Sequence, residues 1–301
     1  MFDSPLSASA YEVLGVAPDA ADDDLRRAYR LRLRETHPDT GGDAALFIRV
    51  QRAWELVGTP EGRAAYDRGR AEPHWAASAA AARTGTRPRA QMHGRPGGWR
   101  RRRYLDLLAA HLGHAVTAAE AYDPAVVRQA PWEARRMLAD ALAEEATALA
   151  VQELGMGFTA WHAVAAGAGE DAEVLDHVVL SPSGLYALTS EDFGESVRFR
   201  QGEVIGRTVG GSTPVADLLR RMRFVARAAR VRFGGAILIL PDDHLDVPAT
   251  TLGSVRGVPV AVVRRSALRT VLRSGIPGAR PIGGNELYDV RTRMQHTARL
   301  V

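Results

Sequence analysis

Apolar residues in the first 70 positions recur at intervals of three and four, which is the spacing of one face of an α-helix. The residues that mark three short helices are Tyr11 and Leu14, then Leu25, Ala28 and Tyr29, then Phe47, Val50, Trp54 and Val57. Because the pattern stays helical throughout this segment, it predicts an all-α first domain over residues 9–70.

The pattern changes after residue 103. Two helical stretches, about 104–120 and 132–154, precede short apolar or alternating runs that are typical of β-strands. The predicted strands cover residues 159–165, 174–180, 185–189, 196–199, 204–209, 236–240 and 258–263. Between the fifth and sixth strands, Thr213-Pro214 predicts the start of an amphipathic helix that ends before Gly234-Gly235. This order predicts an α/β domain in which a mixed sheet is covered by helices.

Residues 71–103 separate these two patterns. They are rich in Ala, Gly, Pro and Arg and show little apolar periodicity, which predicts a flexible linker. The linker carries 8 Arg against 1 acidic residue, so the excess positive charge of the chain is concentrated there. The predicted organisation is multidomain, with a helical domain over 9–70, the linker over 71–103, a helical connector over 104–131 and the α/β domain over 132–301.

Composition excludes several kinds of chemistry. The 301 residues include no cysteine, and all 39 side chains counted as Lys or Arg are arginine. Disulfides, thiolate metal sites, a phosphate-binding loop with its lysine and a Schiff-base lysine are therefore excluded. The lack of cysteine suits a reducing compartment, and neither a signal-peptide pattern nor an apolar run of transmembrane length is evident. We expect a cytoplasmic protein.

The second predicted helix has two distinct faces. At about 100° per residue, Leu25, Ala28, Tyr29 and Leu33 lie on one side. The opposite, basic face consists of Arg26, Arg27, Arg30 and Arg34. Such an arginine run is usually a solvated face. Here it is followed at once by His37-Pro38-Asp39, where the proline disfavours helix before it and displays the polar side chains on a loop.

Four sequence blocks together resemble a J domain of the DnaJ type. They are Tyr-Glu-Val-Leu-Gly-Val at 11–16, Leu-Arg-Arg-Ala-Tyr-Arg at 25–30, His-Pro-Asp at 37–39 and Arg-Ala-Ala-Tyr-Asp at 63–67. The resemblance implies a helical hairpin whose basic second helix binds a DnaK-type heat-shock chaperone, where His37, Pro38 and Asp39 trigger ATP hydrolysis. A J domain is an activator and performs no chemistry itself, so the resemblance implies a co-chaperone in protein folding and the stress response rather than an enzyme.

One residue departs from the J-domain pattern. Arg32 falls near the middle of the apolar face of the second helix, where that family usually has an apolar residue. Either its aliphatic stem packs while the guanidinium reaches solvent, or the helix rotates to use Leu31 and Leu33 instead.

The segment 175–188 resembles the core of a nuclease-related (NERD-type) domain, a family with the restriction-endonuclease-like fold. Active members hold Mg²⁺ with an Asp and a second acidic residue, and a lysine positions the attacking water. Asp176 matches the first acid, Thr189 and Glu191 stand where Glu and Lys are expected, and Glu145 lies in the preceding helix beside Glu144. Without lysine the constellation is degenerate, so we expect a catalytically dead domain with no bound metal or cofactor.

Two roles for the α/β domain follow from these patterns. In the first, it recruits a client, another protein or a cellular location. In the second, it is a nucleic-acid-binding or residual nuclease module, with linker arginines contacting phosphate. A third and weaker alternative is electrostatic membrane association through Arg100 to Arg103.

Other candidate residues have simpler explanations. His111 and His114 are expected to be a surface pair, and Asp176-His177 lacks a nucleophile to complete a triad. Gly210-Gly211-Ser212 resembles an anion-binding helix start, but a simple loop is favoured. Six arginines of the helix over 214–232 are interpreted as a solvated face, although they could contact phosphate; they are Arg220, Arg221, Arg223, Arg227, Arg230 and Arg232.

Overall fold

A computed structural model of the chain describes residues 6, 9–37, 42, 44–71, 88–169 and 172–301. The chain divides into two units. The first unit joins Met1–Gly85 to His114–Ala130, and the second unit joins Thr86–Gly113 to Pro131–Val301.

The first helix of the first unit begins and ends at capping residues. Helix α1 (Ala10–Leu14) opens with a capping box, in which Glu12 N donates to Ser9 Oγ at 3.2 Å and Ser9 N donates to Glu12 Oε2 at 2.7 Å. It ends at Gly15, whose φ of 75° is the left-handed conformation that favours glycine. Helices α2 (Asp22–Glu35), α3 (Ala44–Val57) and α4 (Pro60–Ala71) follow.

A small core holds these four helices together. Its larger buried side chains are Tyr11, Leu14, Leu25, Val50, Val57 and Tyr66. Helix α3 is central because it packs against α1, α2 and α4. Tyr29 of α2 stacks on Trp54 of α3, with ring centroids 4.4 Å apart and planes within 7° of parallel. The all-α character predicted for this segment is therefore confirmed.

Much of the predicted linker and connector is folded. Strand β1 (Gln91–His93) and helix α5 (Gly98–Leu112) belong to the second unit, whereas helices α6 (Ala118–Ala121) and α7 (Pro124–Gln129) belong to the first. The structure thus differs from the predicted boundaries, because residues 88–103 are part of the second unit and the connector over 104–131 is divided between the two units. Residues 72–87 of the predicted linker lie outside the described residues.

The second unit continues with helix α8 (Trp132–Gln152), strands β2 (Thr159–Ala165), β3 (Val174–Ser181), β4 (Gly184–Ser190), β5 (Arg198–Arg200) and β6 (Glu203–Ile205), helix α9 (Pro214–Ala229), strands β7 (Gly235–Leu240), β8 (Ala249–Val255) and β9 (Val258–Arg264), and helices α10 (Leu268–Ser274) and α11 (Asn285–Thr297). Within the described residues, the main sheet has the strand order β1-β2-β3-β4-β7-β9-β8. Strands β2, β3 and β4 form an antiparallel meander, whereas β4, β7 and β9 are parallel. The sheet is mixed, as predicted.

Helices cover both faces of this sheet. Along β7 the side chains alternate, so that Leu238 belongs to a core with Leu218 of α9 and Met294 of α11, whereas Ile237 belongs to a core with Val151 of α8 and Leu272 of α10. The prediction of a mixed sheet covered by helices is confirmed. The relation to restriction endonucleases stays a prediction.

Several elements differ from the predicted ones. The run predicted as a strand over 204–209 is β6, which ends at Ile205 and pairs only with β5 in a small separate sheet. Helix α9 ends at Ala229 because Arg230 adopts a left-handed φ of 52°. The sequence does not predict strand β8, because its Thr, Gly and Ser residues show no alternation of apolar and polar side chains. Its pairing with β9 also contains a register shift near Gly253.

Candidate functional site

The basic face of α2 is a solvent-exposed ridge. Arg26, Arg27, Arg30 and Arg34 are all exposed, as the predicted face requires. Arg26 and Arg27 lie 3.5 Å and 3.4 Å from Asp23 and Asp24 in the preceding turn. Because exposed pairs of this kind stabilise by only about 0 to 1 kcal/mol, they are readily exchanged for a partner's carboxylates.

His37 lies directly after this helix and is oriented by its neighbours. The Thr36 hydroxyl donates to the Arg32 carbonyl at 2.8 Å, which ends α2, and Gly42 N donates to the His37 carbonyl at 3.0 Å. The His37 ring meets the Phe47 ring of α3 edge-on, with centroids 5.1 Å apart. Pro38 and Asp39, the other two predicted trigger residues, lie outside the described residues.

The unusual Arg32 extends along the helix surface toward solvent. Its Nη1 pairs with Glu35 at 3.2 Å and its guanidinium packs over Gly15, where an added Cβ would lie 3.1 Å from Nη2. Leu31 is 57% exposed, whereas Leu33 packs on the core. The helix is therefore not rotated to bury Leu31, and the Arg32 guanidinium lies at the surface beside Gly15 and Glu35.

A second candidate site is a buried ionic cluster in the second unit. The guanidinium of Arg100, from α5, donates to Glu144, to Asp140 at 2.8 Å and to Asp176 at 3.2 Å. All four side chains are at most 6% exposed. Gly97 N, at the start of α5, also donates to Glu144 at 2.8 Å. The contacts join α5, α8 and β3 through one arginine.

Arg136 of α8 extends the cluster. It donates to Asp140 at 2.9 Å and forms an ion pair with Glu191, which follows β4. The cluster therefore holds four carboxylates, those of Asp140, Glu144, Asp176 and Glu191, against two guanidinium groups. Because the carboxylates outnumber the guanidinium groups and all four are buried, protonation of some of these carboxylates is favoured.

Protonation within the cluster is distributed unequally. Burial, followed by the nearby charge of Asp176, raises the pKa of Glu144 to about 8. Burial and Asp140 raise the pKa of Glu191 to about 7. For Asp176, burial opposes ionisation, but Arg100 leads the contacts that outweigh it and lower its pKa. Burial also raises the pKa of Asp140. Among the four carboxylates, the cluster therefore favours the ionised form only at Asp176, whereas burial favours a proton on Glu144, Glu191 and Asp140.

The structure brings together three of the four predicted degenerate nuclease positions. Thr189 Oγ1 donates to Asp176 Oδ2 at 2.7 Å and lies 3.5 Å from Glu191 Oε1. Glu145 is separate, because it pairs with Arg101 at the cluster's edge, and its neighbour Glu144 contacts Arg100 instead. In the described part of the chain, no group of three or more His, Cys, Asp or Glu side chains is arranged to hold a metal ion.

Sequence reasoning missed Arg100, Arg136 and Asp140. The composition of residues 71–103 predicts that Arg100 lies in a flexible linker, whereas the residue is only 5% exposed. A signal was present in α8, where Arg136, Asp140 and Glu144 recur every four residues and form a polar stripe on an otherwise apolar face. Such a stripe indicates a buried ionic contact, but it does not identify the partner.

Polar side chains on the neighbouring strands β2, β3 and β4 contact one another beside this cluster. His162 Nδ1 and His177 Nδ1 lie 2.7 Å apart, and His177 Nε2 lies 3.1 Å from Ser190 Oγ. Burial lowers the pKa of both histidines, that of His177 to about 4. The sequence offered no nucleophile for Asp176-His177. Ser190 lies beside His177, but it is fully buried, so substrate has no access to it.

The remaining candidates do not form sites. His111 lies in the last turn of α5 and His114 beyond its end, where His114 pairs with Glu120 at 3.5 Å. The start of α9 is occupied by the protein's own carboxylate, because Val215 N and Ala216 N donate to Glu203 at 2.8 Å and 3.0 Å. Gly210-Gly211-Ser212 is therefore a loop before a capped helix.

The first unit contains a J domain. Residues 9–67 match the family model of the DnaJ domain. Similar segments occur in chaperone proteins, including a DnaJ protein homolog of Cucumis sativus, 46% identical over 57 residues, and chaperone protein DnaJ 1 of Cutibacterium acnes, 41% identical over 66 residues. A chaperone protein DnaJ of Gloeothece citriformis is 46% identical over 61 residues.

These similarities concern a small part of each protein. The matched segments cover 19%, 21% and 19% of this chain and 14%, 17% and 16% of the three relatives. They establish the J domain and its relation to DnaJ chaperones, and they do not extend to the second unit. Among the described helices, none is long and apolar enough to cross a membrane.

Proposed function

We propose that the chain is a co-chaperone that binds a DnaK-type heat-shock chaperone through its J domain and stimulates ATP hydrolysis by that chaperone. The observation that carries the proposal is the exposed arginine ridge of α2, which runs into His37 inside the segment that matches the DnaJ domain. We assign partner binding to Arg26, Arg27, Arg30 and Arg34, and triggering to His37, Pro38 and Asp39.

The physical argument rests on two complementary features. An array of arginines attracts an acidic surface over about a Debye length and offers forked donors to its carboxylates. A side chain held at a fixed position after that helix, as His37 is by Phe47, supplies contacts that depend on orientation. Steering by the first feature and orientation by the second suit an activator that leaves the chemistry to its partner.

The test is single-turnover ATP hydrolysis by a DnaK-type chaperone in the presence of the full-length protein and of His37→Gln. We expect stimulation by the wild type and its loss in the variant, because the predicted trigger is removed without a change in the buried core. His114→Gln, an exposed histidine of the same unit, is the matched control and should stimulate normally.

Circular dichroism of both variants checks that the helices are retained. Failure of the wild type to stimulate several DnaK-type chaperones would contradict the proposal. Equal stimulation by wild type and His37→Gln would contradict the role of His37.

For the second unit we propose a non-catalytic recruitment module within a cytoplasmic protein. The nuclease-like resemblance is compatible with this role, because Asp176, the residue that the resemblance would assign to Mg²⁺, is paired with the Arg100 guanidinium instead. Membrane association through Arg100 to Arg103 gains no support from Arg100 and Arg101, because their guanidinium groups contact buried or half-buried carboxylates. Nucleic-acid contact by the linker arginines stays an alternative.

A further inference from the structure

An open groove of about 570 Å³ lies along α9. Its other walls are formed by Ala166, just after β2, by Glu173, just before β3, and by Arg256 in the turn from β8 to β9. The side chains that define its character are Glu173, Arg220, Arg223, Phe224, Arg227 and Arg256. Helix α9, which forms one side of the groove, packs on the sheet face opposite to α8.

Among the described residues, the groove carries guanidinium charges that no carboxylate neutralises. Arg220 is neutralised by Glu173, at 2.6 Å, and by Asp217. Arg223 donates to the Arg256 carbonyl at 3.1 Å, an uncharged acceptor that leaves its charge unbalanced. Across the described ranges, no carboxylate forms an ion pair with Arg223, Arg227 or Arg256. Three guanidinium charges therefore line one open groove.

An aromatic ring lies among these charges. The apolar side of α9, with Leu218, Met222 and Val225, packs on the sheet. At about 100° per residue, Phe224 lies on the opposite side of the helix, together with the arginines, and it is 38% exposed. Core packing therefore does not account for Phe224. A simple solvated face, the interpretation favoured from sequence, does not account for it either.

We propose that this groove binds single-stranded nucleic acid, with Arg223, Arg227 and Arg256 on phosphates and a base stacked on Phe224. Proteins that bind single strands combine a positive groove with exposed aromatic rings, because every base offers a face for stacking. The open shape suits a segment of a longer strand, whereas small ligands are usually enclosed over most of their surface. This inference goes beyond the proposed co-chaperone function and does not depend on it.

The test uses the full-length protein and a fluorescein-labelled oligothymidylate of about 15 nucleotides, a length within the site sizes of single-strand binders. Fluorescence anisotropy measures affinity over a range of salt concentrations. The groove variants are Phe224→Ala and the double variant Arg227→Gln with Arg256→Asn, since asparagine tolerates the left-handed backbone of Arg256, whose φ is 50°. Arg273→Ala is the control, because Arg273 is an exposed arginine of α10 on the other sheet face.

We expect wild-type affinity to fall steeply with salt, because phosphate contacts release counterions. The double variant should bind at least about 10-fold more weakly with a shallower salt dependence. Phe224→Ala should bind about 5-fold to 100-fold more weakly, as loss of one stacking contact implies. Arg273→Ala should bind as the wild type does.

Four outcomes would overturn the proposal. They are no binding at low salt, unchanged affinity in the groove variants, equal affinity for a hairpin duplex whose bases are already stacked, and displacement of the strand by polyglutamate at equal charge concentration. The last would assign the groove to an acidic polypeptide. Thermal melting of each variant checks that it is folded. If the double variant melts at a lower temperature than the wild type, the single variant Arg227→Gln, on an exposed helix face, replaces it in the binding test.

Discussion

Arg100 is a buried cation in the second unit, where its guanidinium is surrounded by carboxylates. Its neighbours in the chain are glycine, tryptophan and further arginines, and nothing near it in sequence marks it as buried. In the folded second unit its guanidinium donates to Asp140, Glu144 and Asp176. A buried charge is tolerated only when it is paired and hydrogen-bonded, so the three carboxylates and Arg100 depend on one another.

Replacing Arg100 by methionine tests this dependence. Arg100→Met keeps the aliphatic stem but leaves buried carboxylates without their cation, which should destabilise the second unit by about 3 to 5 kcal/mol. For a domain of this size the melting temperature should fall by roughly 6 to 20 °C. Differential scanning calorimetry measures the shift.

Arg103→Met is the matched control on the same helix. Arg103 is 53% exposed and pairs only loosely with Glu133 at 3.5 Å, so its loss should change stability by less than about 1 kcal/mol. Equal effects of the two substitutions would show that the Arg100 contacts add nothing to stability.

At the scale of elements, β1 and α5 are held on the second unit by a close backbone approach. Gly94 lies between them with a φ of 87°, and a Cβ added there would lie 2.2 Å from the His162 carbonyl oxygen of β2. Only glycine permits both this conformation and this contact. The docking of β1 brings Arg100 to the carboxylates, because α5 begins four residues after Gly94.

Alanine substitutions at Gly94 and Gly113 separate the cost of the left-handed backbone from the cost of the close contact at Gly94. Gly113, at the end of α5, has a similar φ of 78° but no heavy atom within 4 Å of an added Cβ. Gly113→Ala should therefore show only the left-handed strain of about 1 to 2 kcal/mol. Gly94→Ala should destabilise by at least about 2 kcal/mol more, because backbone must also move. Chemical denaturation compares the two variants, and equal losses would mean that β1 is not tightly docked.

At the scale of the whole molecule, the proposed activities belong to different units. The arginine ridge and His37 lie in the first unit, and the groove along α9 lies in the second. Each unit has its own hydrophobic core, so substitutions of exposed side chains in one should leave the other folded.

If the two units act independently, each variant should lose one activity and keep the other. His37→Gln should lose stimulation of the chaperone ATPase yet bind the oligothymidylate as tightly as the wild type. The double variant at Arg227 and Arg256 should show the reverse. Both assays on both proteins, under identical buffer conditions, make the comparison. Loss of both activities in either variant would show that the two units are coupled.

Local patterns were sufficient for much of this protein. The period of apolar residues predicted the helices of the J domain, and the blocks at 11–16, 25–30, 37–39 and 63–67 identified the family that the comparison over residues 9–67 confirms. Buried strands such as β3 and β7 were also predictable, because a strand covered on both faces is a continuous apolar run.

The sequence by itself determined the two fold classes, the J domain and the exposed arginine face of α2, because each depends on residues within a few turns of one another. Only the tertiary structure decided that Arg100 is an internal cation, that Glu144 rather than Glu145 contacts it, and that Phe224 faces a groove with Arg256. These contacts join residues 32 to 76 positions apart. The spacing of apolar and polar residues along the chain cannot predict such contacts. Which side chains are buried and which charges are neutralised depends on the elements that the folded chain brings together.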